Sequence, residues 1–159
     1  LTVHDSKFGN GEKIAEKMRE EFEKTGASVK ISHVSDSSSL PMREEFPDLL
    51  IVGAAVRMFR VSPASKKWLN QLDKNARKAG ATIVFGSVYL THALKENSIK
   101  GFGRRYLRFM QKMKSLDFVY PKLFSGQVKG QEGPLYEDVL PAVEEFTQSL
   151  KKWMTENKI

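Results

Sequence analysis

The sequence predicts an α/β domain in which helices cover both faces of an open, doubly wound parallel sheet. Apolar runs typical of buried strands alternate five times with segments whose apolar residues recur every three or four positions. The connections are short, and no repeat or linker divides the chain. Because 159 residues suit one domain, we expect a single domain over residues 1–159, with its first strand trimmed at the N-terminus.

The first half of the chain predicts three strands and one helix. Apolar residues at 1–3 and 29–34 indicate two strands, and the continuous apolar run at 49–56 is typical of a central parallel strand. Residues 12–24 place apolar side chains at every fourth position, which predicts an amphipathic helix. Residues 36–41 are rich in serine and contain a proline, so they are predicted to form a loop.

The second half predicts two more strands and three helices. A serine cap followed by proline begins a helix that ends at Gly80. Residues 82–90 indicate a buried strand that runs into a loop. The apolar period at 101–116 predicts another helix, 123–128 the last strand, and 139–153 a C-terminal helix.

Composition narrows the classes of function. The 26 Lys and Arg against 19 Asp and Glu give a net charge of +7, which favours anionic partners. Without cysteine there is no disulfide, thiolate nucleophile or iron–sulfur site, and the three histidines lack the spacing of metal ligands. No apolar run reaches the roughly 20 residues of a membrane span. The N-terminus has no secretory pattern. The lack of cysteine together with mixed surface charge favours a cytoplasmic protein.

The loop between the first strand and the first helix is a candidate phosphate site. It reads Asp5-Ser6-Lys7-Phe8-Gly9-Asn10-Gly11. Its glycines allow close backbone approach, and the exposed N–H groups of a helix N-terminus favour an anion. It matches neither the GxxxxGK[ST] nor the GxGxxG pattern, so nucleoside triphosphates and dinucleotides are disfavoured. A plain glycine turn capped by Asn10 is the alternative interpretation.

Four segments together resemble the flavodoxin family. The loop and first helix turn at 6–15 are similar to its phosphate loop, and 52–63 and 84–89 are similar to the segments on either side of its flavin ring. Residues 128–135 resemble a closing segment of many flavodoxin-like proteins. The matches follow one another along nearly the whole chain, whose length resembles the short-chain form. The resemblance implies five parallel strands in the order 2-1-3-4-5 and an FMN cofactor.

The resemblance also implies which residues contact FMN. At the phosphate end these are Asp5, Ser6, Lys7, Phe8, Gly9, Asn10 and Gly11; along one face of the ring Ala54, Ala55, Val56, Arg57, Met58 and Phe59; along the other Gly86, Ser87, Val88 and Tyr89. Phe8 and Gly11 replace two threonines whose hydroxyls hold the phosphate in the family, so we expect weaker FMN binding than the family norm. Ala55 stands where the family often has proline.

Met58, Phe59 or Tyr89 would then stack on the flavin ring. Tyr89 is the favoured candidate because it is expected just past the carboxyl end of a buried strand. Phe59 could instead be a surface-loop aromatic or an internal plug. The cations Arg57 and Arg60 would stabilise the negative charge of a reduced ring and make the flavin less reducing, unless both point to solvent.

Residues 100–114 contain six cations and no acid, interleaved with aromatic residues. A core-packed helix with a solvated basic face is the simplest interpretation. The alternatives are a docking surface for an acidic redox partner or anionic substrate, and contact with a membrane surface; a nucleic-acid contact is not expected from this pattern.

The leading functional hypothesis is an FMN-binding electron-transfer protein that works with a redox partner protein, because no acid–base pair or nucleophile is evident in these loops. No residue is therefore predicted to be catalytic. The alternative is an FMN-dependent oxidoreductase, since 52–57 also resembles a segment of menaquinone-dependent protoporphyrinogen dehydrogenases; a quinone reductase is a broader version of the same idea. A flavin-free interaction domain is the third hypothesis.

Overall fold

The computed structural model describes residues 1–42, 45–57, 60–94, 96–130 and 132–158. Within these residues it contains a seven-stranded sheet, four α-helices and one 3-10 turn at Ser37–Ser39. The strands are β1 Thr2–His4, β2 Ile31–His33, β3 Leu49–Arg57, β4 Arg60–Val61, β5 Ile83–His92, β6 Leu116–Val119 and β7 Phe124–Gln127. The helices are α1 Asn10–Glu23, α2 Pro63–Ala79, α3 Glu96–Gln111 and α4 Val139–Glu156.

The sheet has the predicted doubly wound topology. Its parallel strands lie in the order β2-β1-β3-β5, and β6 and β7 follow one another along the outer edge of β5. The predicted order 2-1-3-4-5 is thus confirmed, with two short strands sharing the fifth position. The short strand β4 pairs antiparallel with the end of β3. The strand order reverses between β1 and β3, whose carboxyl ends lie side by side.

Helices cover both faces of the sheet. The helices α1 and α4 share one apolar cluster, which includes Ile14, Met18 and Leu150. The helices α2 and α3 share the other, which includes Leu69 and Met110. Neighbouring residues of β3 pack alternately into the two clusters, as side chains on successive strand positions must. Each fully buried leucine or isoleucine contributes about 1.5–3 kcal/mol, so the two clusters fix the sheet between its helices.

Two element boundaries differ from the prediction. The predicted helix at 101–116 begins earlier, at Glu96, and ends at Gln111. The chain turns there because the Asp73 carboxylate accepts hydrogen bonds from the Ser115 backbone N–H and hydroxyl, at 2.9 and 2.7 Å. Leu116 therefore opens β6, whose four residues are too few to show an alternation in the sequence. The second difference is at the end of β5, which continues to His92, beyond the predicted 82–90. This difference changes which residues line the candidate site.

None of the helices within the described ranges combines the length and apolar character needed to cross a membrane.

Candidate functional site

A cavity of about 280 Å³ opens at the carboxyl ends of β1, β3 and β5. This is the edge at which the strand order reverses, the usual ligand position in open α/β sheets. Its lining combines Ser6, Lys7, Phe8, Asn10, Ala55, Val56, Arg57, Thr91, His92, Ala93, Leu94, Val128 and Glu132. Depressions of about 660 and 820 Å³ lie between α1 and α4 and at the amino ends of the strands. We favour the smaller cavity because only it joins loops at the ligand-binding edge of the sheet.

The loop at residues 5–11 is held against the rest of the site by side-chain hydrogen bonds. Gly9, immediately before α1, has φ of +81°, a left-handed conformation that glycine adopts without strain. The Gly11 N–H donates to the Ser6 hydroxyl at 3.2 Å. The Asn10 amide donates to the Gly133 carbonyl at 2.8 Å, which ties the loop to the closing segment 128–135. The chain is thereby fixed in an open turn at the start of α1.

Backbone donors of this turn lie beside the cavity, which Ser6, Lys7, Phe8 and Asn10 line. Among the described residues, the backbone N–H groups of residues 7–10 donate to no protein acceptor. They lie at the N-terminus of a 14-residue helix, whose dipole favours negative charge. The Ser6 hydroxyl proton remains available to a ligand, since within the described ranges Ser6 Oγ accepts from Gly11 and donates to no protein group. This donor set fits the phosphate of a nucleotide cofactor.

Two histidines, His4 and His33, form hydrogen bonds with the backbone of Ser6 in this loop. The Ser6 N–H donates to His4 Nδ1 at 3.2 Å, so that nitrogen is unprotonated and the proton of the neutral ring is on Nε2. His33 Nε2 donates to the Ser6 carbonyl at 3.2 Å, and its Nδ1 bonds the Ser35 hydroxyl at 2.7 Å. The two rings meet edge to face, with centroids 5.2 Å apart. Burial, and then the neighbouring His33, lowers the pKa of His4.

We expect the folded state to lose stability as the pH falls from about 7.5 through about 6.5, the pKa of histidine in an unfolded chain. Burial lowers the pKa values of both His4 and His92 below the value of roughly 6.5 in an unfolded chain. The unfolded state then binds more protons in this window, so stability falls as the pH falls. The melting temperature should drop, and His4→Asn, which keeps an acceptor for Ser6 but does not titrate, should reduce the drop. A melting temperature that is constant over this range would contradict the expectation.

Asp5 connects the loop to β3. Its Oδ1 accepts a hydrogen bond from the Ala55 N–H at 2.8 Å, and its carbonyl accepts one from the Arg57 guanidinium at 3.2 Å. Asp5 is buried and lies behind the lining of the cavity, and its Oδ2 has no partner among the described residues. Its role in the structure is therefore to hold the loop against the strand that forms the next wall.

The structure places Tyr89 inside the sheet. Strand β5 continues to His92, so the prediction that Tyr89 lies just past the carboxyl end of a strand is wrong, and Gly86, Ser87 and Val88 also lie within the strand. All four are buried within the strand and absent from the cavity lining. Tyr89 pairs with Gly53 in register, and its hydroxyl donates to the Gly11 carbonyl at 2.7 Å. Its burial raises the pKa of the phenol, so it remains a neutral donor that joins β5 to α1.

The wall expected from Gly86 to Tyr89 is formed by residues further along the chain. These are Thr91, His92, Ala93 and Leu94, which follow as β5 ends. His92 is 3% exposed; its Nδ1 donates to the Leu94 carbonyl at 3.0 Å, and its Nε2 accepts from the Ser125 hydroxyl. The Gln127 amide donates to the same carbonyl at 3.3 Å. The polar pair Thr91-His92 after an apolar run was the sequence signal for this edge.

Of the predicted contacts on the other wall, Ala55, Val56 and Arg57 line the cavity, and Ala54 is buried beneath it. Met58 and Phe59 lie outside the described residues. Of the described lining residues, Phe8 is the one Phe, Tyr or Trp; it is 43% exposed, and Lys7 Nζ lies 5.5 Å from its ring centroid.

Solved structures with the same architecture are flavodoxins and proteins that contain a similar unit. The chain superposes on a flavodoxin, WrbA-like protein from Agrobacterium tumefaciens with a TM-score of 0.69 and 15% identity, over 99% of this chain and 97% of that one. Flavodoxin 2 from Bacillus cereus gives a TM-score of 0.67 at 9% identity, over 96% and 97%. No family model matches the chain, and neither does any curated protein.

A third similar structure is larger. Rubredoxin oxygen:oxidoreductase from Desulfovibrio gigas matches 98% of this chain but 35% of its own, with a TM-score of 0.62 and 17% identity. The likeness at these identities concerns the backbone architecture. The chain has a flavodoxin-like fold.

Proposed function

We propose that this protein binds FMN in the cavity at the carboxyl edge of the sheet and carries electrons between partner proteins. The observation that carries the proposal is the cluster of unpaired N–H groups at residues 7–10, beside a cavity at the strand reversal. The flavodoxin-like fold supports the same assignment. A cytoplasmic location is part of the proposal.

In this proposal, each wall of the cavity holds a different part of the cofactor. The N–H groups of residues 7–10 and the Ser6 hydroxyl would hold the phosphate, with Lys7 as a nearby cation. The segments 55–57 and 91–94 would enclose the ring. When bound, FMN supplies one- and two-electron redox chemistry. The two hydrogen bonds on Leu94 keep the second segment in place, and the Asp5 bond to Ala55 keeps the first.

The titratable groups around the cavity favour a carrier over a group-transfer enzyme. Among the described lining residues, His92 is the candidate acid or base with a suitable unperturbed pKa. Both of its ring nitrogens are already hydrogen-bonded within the protein, to Leu94 and Ser125. It therefore has no free nitrogen to present to a substrate.

Comparing FMN with riboflavin tests this proposal. Titrated into the flavin-free protein and followed by quenching of flavin fluorescence, FMN should bind in a one-to-one complex. Riboflavin lacks the phosphate and should bind at least about tenfold more weakly, because the N–H cluster then has no anion. Equal affinities would overturn the assignment of the phosphate, and an absence of binding by both would favour a flavin-free interaction domain.

Arg57→Ala should lower the midpoint potential of the bound flavin. The guanidinium lines the cavity, and its positive charge stabilises the ring more after reduction than before. Arg57 is exposed, so the aqueous limit of about 1 kcal/mol at 4 Å applies, or roughly 40 mV for one electron. Spectroelectrochemical titration measures the shift. Lys74→Ala, on the exposed side of α2, is the matched control, and equal potentials in both variants would contradict the expectation.

The second candidate function is an FMN-dependent oxidoreductase, such as a protoporphyrinogen or quinone oxidoreductase. The observation in its favour is that the fold also forms about a third of rubredoxin oxygen:oxidoreductase. Steady turnover of the FMN-loaded protein with a quinone or a porphyrinogen would support it. Reduction that stops after one equivalent of flavin would support the carrier.

A further inference from the structure

The positive charge of this protein is concentrated in one part of the chain. Residues 60–114 contain 13 Lys and Arg and only two acids, Asp73 and Glu96, for a net charge of +11. The remaining residues contain 13 Lys and Arg and 17 acids, for a net charge of −4. Because α2 and α3 cover one face of the sheet, that face is strongly basic and the α1–α4 face is not.

The basic charges on α3 are presented to solvent. Lys100, Arg104 and Arg108 follow one another at intervals of four residues, which aligns them along α3, and Lys112 continues this spacing just past the end of the helix; all four are exposed. Arg105 beside them is also exposed. Over the described part of the chain, none of these five lies within salt-bridge distance of an acid. Their field is therefore not cancelled locally.

Contacts between α2 and α3 show where these charges lie relative to the cavity. Lys66, the fourth residue of α2, places Nζ 5.8 Å from the ring centroid of Phe109, the fourteenth residue of α3. Seven residues further along α2, Asp73 contacts Ser115, which follows the end of α3, so the two helices run in the same direction. The start of α3 is thus displaced by ten residues, or about 15 Å, toward the carboxyl edge of the sheet.

The first half of α3 consequently stands beside the cavity. Gly103 packs against Leu123, immediately before β7, which pairs with the last residues of β5. Leu94, two residues before α3, lines the cavity itself. Lys100 and Arg104 therefore lie at the same edge of the sheet as the cavity, whose lining includes the exposed Arg57.

The same face offers no apolar anchor. The large apolar side chains exposed among the described residues are Phe8, Met42 and Tyr136, none of which belongs to α2 or α3. A surface with charge and no protruding apolar or aromatic group lacks the side chains that insert into a bilayer or stack on nucleic-acid bases. The partner surface that complements this basic face is that of a folded protein rich in carboxylates.

We infer that the basic face around Lys66, Lys100, Arg104, Arg105 and Arg108 docks an acidic redox protein beside the cavity. The position of the charges at the same edge of the sheet orients such a partner toward the bound cofactor, so the redox role of the partner rests on the proposed function. Opposite charges at such a surface accelerate encounter and fix its orientation. Because α3 is positively charged, the docking surface of the partner must be negatively charged.

Binding of poly-L-glutamate, followed by amide NMR spectra, tests the docking face without requiring flavin. The peptide should shift resonances of α2 and the first half of α3, and binding should weaken as salt is added. Arg104→Glu combined with Arg108→Glu should weaken binding at least about tenfold. Lys152→Glu combined with Lys158→Glu changes the net charge equally on the other face and should have little effect. Shifts spread over both faces, or equal losses in the two double variants, would overturn the inference.

Two further probes separate the docking proposal from its competitors and from the FMN proposal. Tighter binding to phosphatidylserine-containing vesicles or to a short DNA duplex than to poly-L-glutamate would overturn the acidic-protein assignment. In the FMN-loaded protein, oxidation of the reduced flavin by the ferricyanide anion should slow with added salt, and the Arg104→Glu/Arg108→Glu variant should slow it further. Failure to bind FMN would leave the poly-L-glutamate result intact, and only the redox role would be lost.

Discussion

Gly53→Ala is expected to destabilise the protein by about 3 kcal/mol, the upper end of the usual cost of overpacking a core. An alanine Cβ at this position would lie 2.0 Å from Cζ of Tyr89 and 2.3 Å from its hydroxyl oxygen. The ring has no space to move into, because Tyr89 is fully buried. Its hydroxyl is also bonded to the Gly11 carbonyl, so any shift of the ring breaks that bond or moves the start of α1.

Urea unfolding measures this loss, and Gly101→Ala is the matched control. Gly101 lies in α3, and a methyl group added there would have no neighbouring atom within 4 Å, so alanine should stabilise the helix by up to about 1 kcal/mol. In the Tyr89→Ala background the clash is removed, and Gly53→Ala should then cost much less. Equal costs of Gly53→Ala with and without the Tyr89 ring would show that the ring is not the reason for glycine at this position.

The central strands could be predicted from the sequence because burial on both faces leaves a strong signal. The apolar run at 49–56 corresponds to β3, and the four amphipathic helices were recognised by their apolar period. The short strand β6 could not be recognised, since its four residues continue the apolar pattern of α3. What separates the two elements is the bond between Asp73 and Ser115, which are 42 residues apart in the chain.

The part of the site that depends on the order of strands and helices could be predicted from the sequence. The part that depends on how far β5 pairs with its neighbours could not. The loop 5–11 lies at the start of α1, as expected, because a strand followed by a glycine turn and a helix brings it there. The opposite wall depends on the last residue of β5. Pairing with β3 as far as Thr91 and with β7 as far as His92 extends that strand, so Tyr89 becomes a core residue. A pairing partner more than 30 residues away decides which side chains face the cavity.

Gly133→Ala should impair both the fold and the proposed binding of FMN. A Cβ on Gly133 would lie 1.6 Å from the carbonyl oxygen of Lys129, and this neighbour is backbone that cannot rotate away. The segment must therefore shift, at a cost of about 3 kcal/mol. The Gly133 carbonyl accepts the hydrogen bond of the Asn10 amide, so the shift also releases the tie between this segment and the loop 5–11.

Gly130→Ala, in the same segment, separates this effect from ordinary backbone strain. Gly130 has φ of +71° with nothing within 4 Å of its Cβ position, so alanine there should cost only about 1 kcal/mol. FMN titration should then show near-normal affinity for Gly130→Ala and at least about tenfold weaker binding for Gly133→Ala, because only the latter displaces the acceptor of Asn10. If both variants bind FMN equally well, the bond from Asn10 to Gly133 does not organise the phosphate loop. If both lose affinity equally, strain anywhere in the segment is sufficient, and the specific role of this hydrogen bond is excluded.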